Sequence, residues 1–296
     1  MLTEPLTMPY LRYLKIIFGI MVAFLSMPHI HLGNFYFTPE LALSIGNLFA
    51  YLVSPKEKYM LFLVEKREIG PGIMDFIFKL DSVPKFRPGQ YMEWTLPHAW
   101  PDSRGNRRYF TIASSPTERN IRLGIKFYEN GSTYKKALYN LDSRMQVVGA
   151  SLSGDFTMPA NPNTKLAFIA GGIGITPFRS MIKYLVDTNS KRDIVLFYAN
   201  KTIQEIVYTD VFNEAREKLG IKTIYTLTDL SKIPEGWKGY KGIIRDKIII
   251  SECPDYKERV FYLSGPHAMV VSYENVLSKM GLPSSNIKKD YFPGLV

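Results

Sequence analysis

Lys165-Leu166-Ala167-Phe168-Ile169-Ala170-Gly171-Gly172-Ile173-Gly174-Ile175-Thr176-Pro177 is the stretch whose reading decides the fold. The apolar run from Leu166 to Ala170 reads as a strand buried on both faces. Gly171, Gly172 and Gly174 follow, and Pro177 opens the helical stretch PFRSMIKYLV. Glycine lets a backbone adopt positive φ and approach a ligand closely, and proline suits the first helical position. Free amides at such a turn attract phosphate, so a diphosphate is the natural guest, although the same turn can serve tight packing alone. The spacing is not GxGxxG, and that dinucleotide fingerprint does not apply.

Downstream of Asn161-Pro162-Asn163 the alternation continues through DIVLFYA, TDVFNEAREKL, IKTIYTL and RVFYLSG. Strands and helices in turn predict a parallel sheet with helices on both faces, a Rossmann-like α/β domain over 161–296. Upstream the rhythm differs. YMLFLVEK, IMDFIFKL, QYMEWTL, RYFTIA, IRLGIKFY and MQVVGASL are short, with Gly70-Pro71-Gly72 and Phe86-Arg87-Pro88-Gly89 as turns. This spacing, with one helical insert near 134–141, predicts a six-stranded antiparallel β-barrel over 56–160.

The first 55 residues form a third segment. LRYLKIIFGIMVAFLSM and FYFTPELALSIGNLFAYLV approach the roughly 20 apolar residues that cross a bilayer. The connection MPHIHLGN lacks Lys and Arg, whereas Arg12 and Lys15 flank one end of the pair and Lys56, Lys58, Lys66 and Arg67 the other. The positive-inside rule then predicts a transmembrane helical hairpin over 1–55 with the remaining domains in the cytoplasm. A cleaved signal peptide is disfavoured, because Ser26-Met27-Pro28-His29 is a poor cleavage site.

Composition removes other classes. A hydrophobic content of 46% supports folded domains, and the net charge of +10 suits an anionic ligand, membrane surface or acidic partner. The basic residues are interspersed with acids and no RNA-reading or zinc spacing is present, so no nucleic acid is expected. One cysteine, Cys253, excludes a disulfide framework or a cysteine-ligated cluster within the chain. His29, His31, His98 and His267 lack ligand spacing, so no metal site is expected.

Three further motifs carry chemistry. In Arg108-Tyr109-Phe110-Thr111-Ile112-Ala113-Ser114, a guanidinium suited to bidentate phosphate binding precedes an aromatic and a hydroxyl. Arg108 and Phe110 share a strand face, so one ligand could meet both; an exposed arginine on an amphipathic strand is the plain alternative. Gly131-Ser132-Thr133 precedes a helix and offers either an N-cap or amides for a pyrophosphate. Ser264-Gly265-Pro266 ends a strand at the sheet edge where ligands collect, or it merely punctuates the chain.

In this order the motifs resemble the ferredoxin-NADP reductase family from about residue 57 to the end, through its RxYSxxS flavin motif at 108–114, GGxGxTP at 171–177 and the late Gly265-Pro266 turn. The resemblance implies an FAD-dependent oxidoreductase using NADPH or NADH. Its cofactor-binding residues would be Arg108, Tyr109, Phe110, Thr111, Ser114, Gly131, Ser132, Thr133, Gly171, Gly172, Gly174, Thr176, Pro177, Lys201, Gly265 and Pro266. Arg108 would grip the diphosphate with Ser132 and Thr133, Phe110 would lie against the isoalloxazine, and Thr176 and Gly265 would place the nicotinamide.

Thr111, near the flavin N5, and Ser264 are the candidate catalytic residues. Two departures from the pattern stand out: Phe110 replaces the usual tyrosine, and Ser264 replaces a cysteine often found before the late glycine. Asp290-Tyr291-Phe292 is a candidate flavin cover. Lys201 is a candidate for a 2′-phosphate and Tyr208 for adenine stacking, with a solvated loop lysine as the plain reading.

The expected acceptor is a ferredoxin, flavodoxin or haem protein, or a quinone. A redox subunit of an ion-translocating membrane complex and a non-catalytic nucleotide-sensing subunit are the alternatives. FTPELALSIGNLFAYLVSPK also resembles the last spanning helix of membrane subunits in Rnf-type and sodium-pumping respiratory complexes, which would make Met1 a start partway through a longer membrane module.

Overall fold

The computed structural model describes residues 9, 12–27, 29–33, 35–53, 57–82 and 84–292. Lys56 and the tail 293–296 lie outside the described residues, as do the side chains of Arg12, Tyr291 and Phe292. The chain divides into one unit over 1–58 and another over 59–296.

The first unit is a helical hairpin, α1 (Arg12–Leu25) and α2 (Pro39–Val53), joined through a short ribbon of β1 (His31–Leu32) and β2 (Phe35–Tyr36). Phe18 and Val22 of α1 pack on Ala42 and Ala50 of α2. Gly46 permits this closeness, since a Cβ there would stand 2.5 Å from Val22 and 2.9 Å from Phe18.

The transmembrane expectation is not supported. Helices of 14 and 15 residues rise only about 21–23 Å at about 1.5 Å per residue, against a hydrocarbon core of about 30 Å. No helix among the described residues is long and apolar enough to cross a membrane. The resemblance to a respiratory spanning helix likewise finds no support in a helix of this length. The apolar runs are longer than the helices because Ser26 and Met27 end α1 in a turn and Phe35 and Tyr36 belong to a strand.

In the second unit an antiparallel sheet is built from β3 (Lys58–Gly70), β4 (Ile73–Leu80), β5 (Tyr91–Thr95), β6 (Arg107–Thr111), β7 (Ile121–Lys126) and β8 (Val147–Ser153). Its order is β6-β5-β8-β3-β4-β7. Helix α3 (Thr133–Tyr139) lies between β7 and β8, and its Tyr134 joins Phe76, Phe78 and Trp94 in the core. The predicted barrel closes without a full ladder. Just past β6, Ala113 N–H donates to Arg122 O of β7 at 2.9 Å and Arg122 N–H to Ser114 Oγ at 3.0 Å, which bring the two edges together.

The parallel sheet contains β9 (Leu166–Gly171), β10 (Ile194–Asn200), β11 (Lys222–Leu227), β12 (Tyr240–Lys241), β13 (Val260–Pro266) and β14 (Ile287–Phe292). The order is β12-β11-β10-β9-β13-β14, with every neighbouring pair parallel. Along β9, Leu166, Phe168 and Ala170 enter one core, beside α4 (Thr176–Asp187) and α5 (Thr209–Leu219). Ala167 and Ile169 enter the opposite core, beside α6 (Asp246–Glu252) and α7 (His267–Lys279). A period of two with both faces apolar therefore places helices on both sides. Phe168 stacks on Phe178 at 4.6 Å, and burial of each such ring contributes about 1.5–3 kcal/mol.

The two sheets share packing within this unit. Ile73, Phe156 and Met158 join the core of α4 and α5, and Tyr262 O–H donates to Thr157 O at 2.9 Å. Arg179 of α4 forms an ion pair with Glu118 and donates to Ala113 O at 3.0 Å.

Candidate functional site

The glycine-rich turn stands at the carboxyl end of β9, one of the two central strands of its sheet. Gly172–Ile175 forms one turn of 3-10 helix before α4 begins at Thr176. Gly172 has φ +52°, where a side chain would strain the backbone. At Gly174 a Cβ would collide with the Ser264 carbonyl and stand 2.6 Å from Gly265 Cα. The motif at 171–177 and the turn at 264–266 are thus interlocked, as their shared sheet edge predicted. Thr176 is buried, its hydroxyl donating to Ile173 O at 3.2 Å, and Pro177 occupies the first turn of α4.

Two contacts bring the antiparallel sheet to this turn. A Cβ on Gly124 of β7 would meet the Tyr208 hydroxyl at 2.5 Å, Thr176 Cγ2 at 3.0 Å and Ile173 Cδ1 at 3.3 Å, so the absent side chain lets this strand pack against the side chains of the turn. At the end of β6 Thr111 lies close enough to the Asp290 carboxyl of β14 to act on its titration. Asp290 pairs in register with Ser264, and Gly265 and Pro266 pair with Tyr291 and Phe292. The backbone of the terminal aromatics therefore runs beside the late glycine turn.

Burial pushes the Asp290 carboxyl up to about 6, opposed by the Thr111 hydroxyl and reinforced by repulsion from Asp155. Ser264 is fully buried and its Oγ has no partner among the described residues. An orphaned buried hydroxyl at the carboxyl end of a strand is what a polar ligand group would satisfy.

Arg108 and Phe110 share a face, as alternation predicts, and both meet Tyr134. The Arg108 guanidinium lies 5.1 Å from the Tyr134 ring centroid, and the Phe110 ring lies 5.9 Å from it. Tyr134 O–H donates to Trp94 O at 3.1 Å, making it a buried post under both residues. Arg108 also donates to Asp102 Oδ1 at 3.1 Å and to Arg104 O at 2.8 Å. A side-chain hydrogen bond from Arg104, with the charges of Arg104 and Arg108 behind it, holds the Asp102 carboxyl down to about 2. Tyr134 directly follows the Gly131-Ser132-Thr133 motif, but nothing local marked its burial beneath Arg108.

Several expected cofactor contacts are engaged elsewhere. Tyr109 points to the other face of β6, where its hydroxyl donates to Glu93 at 2.8 Å and its ring meets Tyr91 edge-on. Ser114 links β7 and α4, accepting from Arg122 N–H through Oγ and from Ser180 Oγ through its carbonyl. Ser132 caps α3 by accepting from Lys135 N–H at 3.2 Å, which is the capping alternative. Thr133 Oγ1 instead joins His98 Nε2 at 3.2 Å and accepts from Asp102 N–H at 3.0 Å. Gly131 closes a tight turn, its N–H donating to Tyr128 O at 3.0 Å.

Lys201 is exposed at the carboxyl end of β10, where its carbonyl accepts from Asp229 N–H at 3.1 Å. Tyr208 corrects the sequence reading. It is buried rather than open to an adenine, with φ +60° and its hydroxyl 3.0 Å from Asp75. Arg122 and Arg67 complete the shell around that carboxylate. A separate cavity of about 650 Å³, lined by Tyr225, Trp237, Tyr240 and Glu252 among others, contains none of the expected site residues.

An antiparallel sheet carrying Arg108, Phe110 and Thr111, joined to a parallel sheet with a glycine-rich turn, is a fold of the ferredoxin-NADP reductase type. Residues 168–275 match the family described as the oxidoreductase NAD-binding domain. The glycine betaine monooxygenase reductase subunit of Pseudomonas aeruginosa is 25% identical over 208 residues, covering 70% of this chain and 56% of that protein. The reductase component of phenol 2-monooxygenase from Pseudomonas sp. strain CF600 is 26% identical over 222 residues, 74% of this chain and 61% of its own. The chain thus spans a little over half the length of these relatives.

The cytochrome b5 reductase domain of Ulva prolifera nitrate reductase superposes with a TM-score of 0.68 at 21% identity, covering 80% of this chain and 98% of that one. The cytochrome P450 reductase of Amycolatopsis gives 0.69 at 18% identity, covering 80% and 70%. These structural likenesses show the fold.

Proposed function

We propose that this chain is an FAD-dependent oxidoreductase that takes electrons from NAD(P)H and passes them to a one-electron acceptor, a ferredoxin, flavodoxin or haem protein, or to a quinone. The observation that carries this reading is the meeting of Thr111 with Asp290, whose ladder partner is Ser264. It joins the arginine-aromatic-hydroxyl strand to the edge that bears the glycine-rich turn. The oxygenase reductases among the sequence relatives support the same activity.

A bound FAD supplies the exchange between two-electron and one-electron chemistry. The protein's own part is binding and alignment. Arg108 would hold the diphosphate through its fork of donors, and Phe110 would lie against the isoalloxazine. Thr111 would hydrogen-bond near N5. Gly172, Gly174 and Thr176 would receive the nucleotide diphosphate at the start of α4, with Ser264 and Gly265 bordering the nicotinamide. Lys201 is the candidate for a 2′-phosphate, and the neighbouring Asp229 carboxylate opposes that charge, so NADH and NADPH are both to be tried.

The test is direct. The purified chain should bind FAD and its yellow colour should bleach on anaerobic mixing with NADH or NADPH. A protein that takes up neither FAD nor FMN would remove this reading, and bound flavin that neither nucleotide bleaches would favour a sensor.

We further propose that the helical hairpin holds the chain at the cytoplasmic face of a membrane. Support comes from Tyr13, Ile16, Ile20 and Phe24, which are exposed along α1, while Phe18 and Val22 face α2. From Ile16 to Leu25 the helix is apolar on all sides, which suits a lipid or protein surround better than water. The chain should float with liposomes, and Ile20→Glu should reduce flotation.

A further inference from the structure

Trp100 lies between β5 and β6, in the loop before Arg108. It is 90% exposed and its φ is +53°, a left-handed conformation that a bulky L-residue rarely adopts. A large apolar ring offered to water from strained backbone is doubly unfavourable unless it has a ligand to meet.

The loop around this residue is anchored rather than loose. Two positions earlier, His98 Nδ1 lies 2.9 Å from Leu96 O, His98 Nε2 lies 3.2 Å from Thr133 Oγ1, and the ring stands edge-on to Tyr134. Two positions later, Asp102 N–H donates to the same Thr133 Oγ1 at 3.0 Å while its carboxylate accepts from Arg108. Both flanks of Trp100 therefore converge on Thr133, and one of them is tied to the arginine proposed to hold a diphosphate.

The surroundings carry the cations of Arg104, Arg108 and Lys135 against the single carboxylate of Asp102, which pairs with both arginines. Burial, then the charge of Arg104, lowers the Lys135 ammonium from its ordinary value, so these two cations act on one another. With Arg108 bonded to the same loop, an incoming diphosphate would relieve their repulsion.

We propose that Trp100 is the platform on which the adenine of FAD stacks, so that this loop selects FAD over FMN. The inference rests on the flavin reading above and deepens it. FMN ends at a single phosphate, whereas FAD continues through the diphosphate to a ribose and a base. Beyond the phosphate-binding arginine, the next feature of FAD in need of a partner is a flat aromatic base. An indole meets that need without demanding hydrogen-bond geometry.

The experiment is titration of the flavin-depleted full chain with FAD and, separately, with FMN, followed by flavin fluorescence. Trp100→Ala should weaken FAD binding about five- to 150-fold, the range of base stacking on an aromatic, and leave FMN binding within about two-fold. Trp100→Phe should recover most of the FAD affinity. Unchanged FAD affinity in Trp100→Ala overturns the proposal, as does an equal loss for both flavins. A parent chain that binds neither flavin overturns the flavin reading as well, which separates the two failures.

Discussion

The Tyr208 hydroxyl donates to the buried Asp75 carboxylate at 3.0 Å, across 133 positions of sequence. Asp75 belongs to β4 of the antiparallel sheet and Tyr208 stands just before α5 of the parallel one. The bond, together with Arg179 stacked over Tyr208 at 5.6 Å, helps to fix one sheet against the other. Tyr208→Phe leaves the volume and removes the donor, so it should destabilise the fold by about 1–3 kcal/mol in urea unfolding. The KM for NAD(P)H should stay within about two-fold; a large rise would return Tyr208 to the nucleotide.

Arg108 is held over Tyr134 with its guanidinium facing Asp102. Arg108→Ala should weaken FAD and FMN alike, by about thirty-fold or more, because a charge-assisted phosphate contact is lost from both. Arg108→Lys should recover only part of this, since an ammonium lacks the planar fork. Equilibrium titration of the two flavins checks both expectations.

Gly174 has no room for a Cβ, and the atoms in the way are the backbone of Ser264 and Gly265. Gly174→Ala should displace the late turn, cost about 1–3 kcal/mol of stability and raise the KM for NAD(P)H. Gly172→Ala meets no atom within 4 Å and is strained only through its φ of +52°, so its stability loss should be nearer 1 kcal/mol. Denaturation midpoints of the two variants, set against their KM values, separate collision from strain.

Asp290 carries a pH dependence. Its folded value of about 6 lies above the ordinary 3.8, so the folded chain binds this proton more readily than the unfolded chain between the two. The group's contribution is therefore fully present below about pH 4 and is lost as pH rises through about 6. Asp290→Asn, which stays neutral, should gain on the order of 2 kcal/mol over the parent at about pH 7.5 and almost nothing at about pH 4. Urea unfolding at both values tests this, and an equal difference at each would mean that the carboxyl is not perturbed.

How far the sequence reached differs from site to site. Strand alternation alone placed Arg108 and Phe110 on one face, and the same rule should have warned against Tyr109, which turns to Glu93. Ser114 and Ser132 have suitable hydroxyls, but a motif does not reveal that Arg122 and Lys135 amides already occupy them.

The sequence by itself determined the two sheets and the glycine turn, because side-chain period, turn residues and backbone freedom are local properties. Leu166 to Ala170 is apolar at every position and, stopped at once by Gly171 and Gly172, is short enough to read as a strand covered on both sides. Local pattern could not decide where the apolar runs at the N-terminus stop being helix, since hydropathy is indifferent to the turn that ends α1 after Leu25. Nor could it bring Asp290 to Thr111 or Tyr208 to Asp75. Those pairings depend on how distant strands dock, and only the packed chain specifies which buried polar group finds which partner.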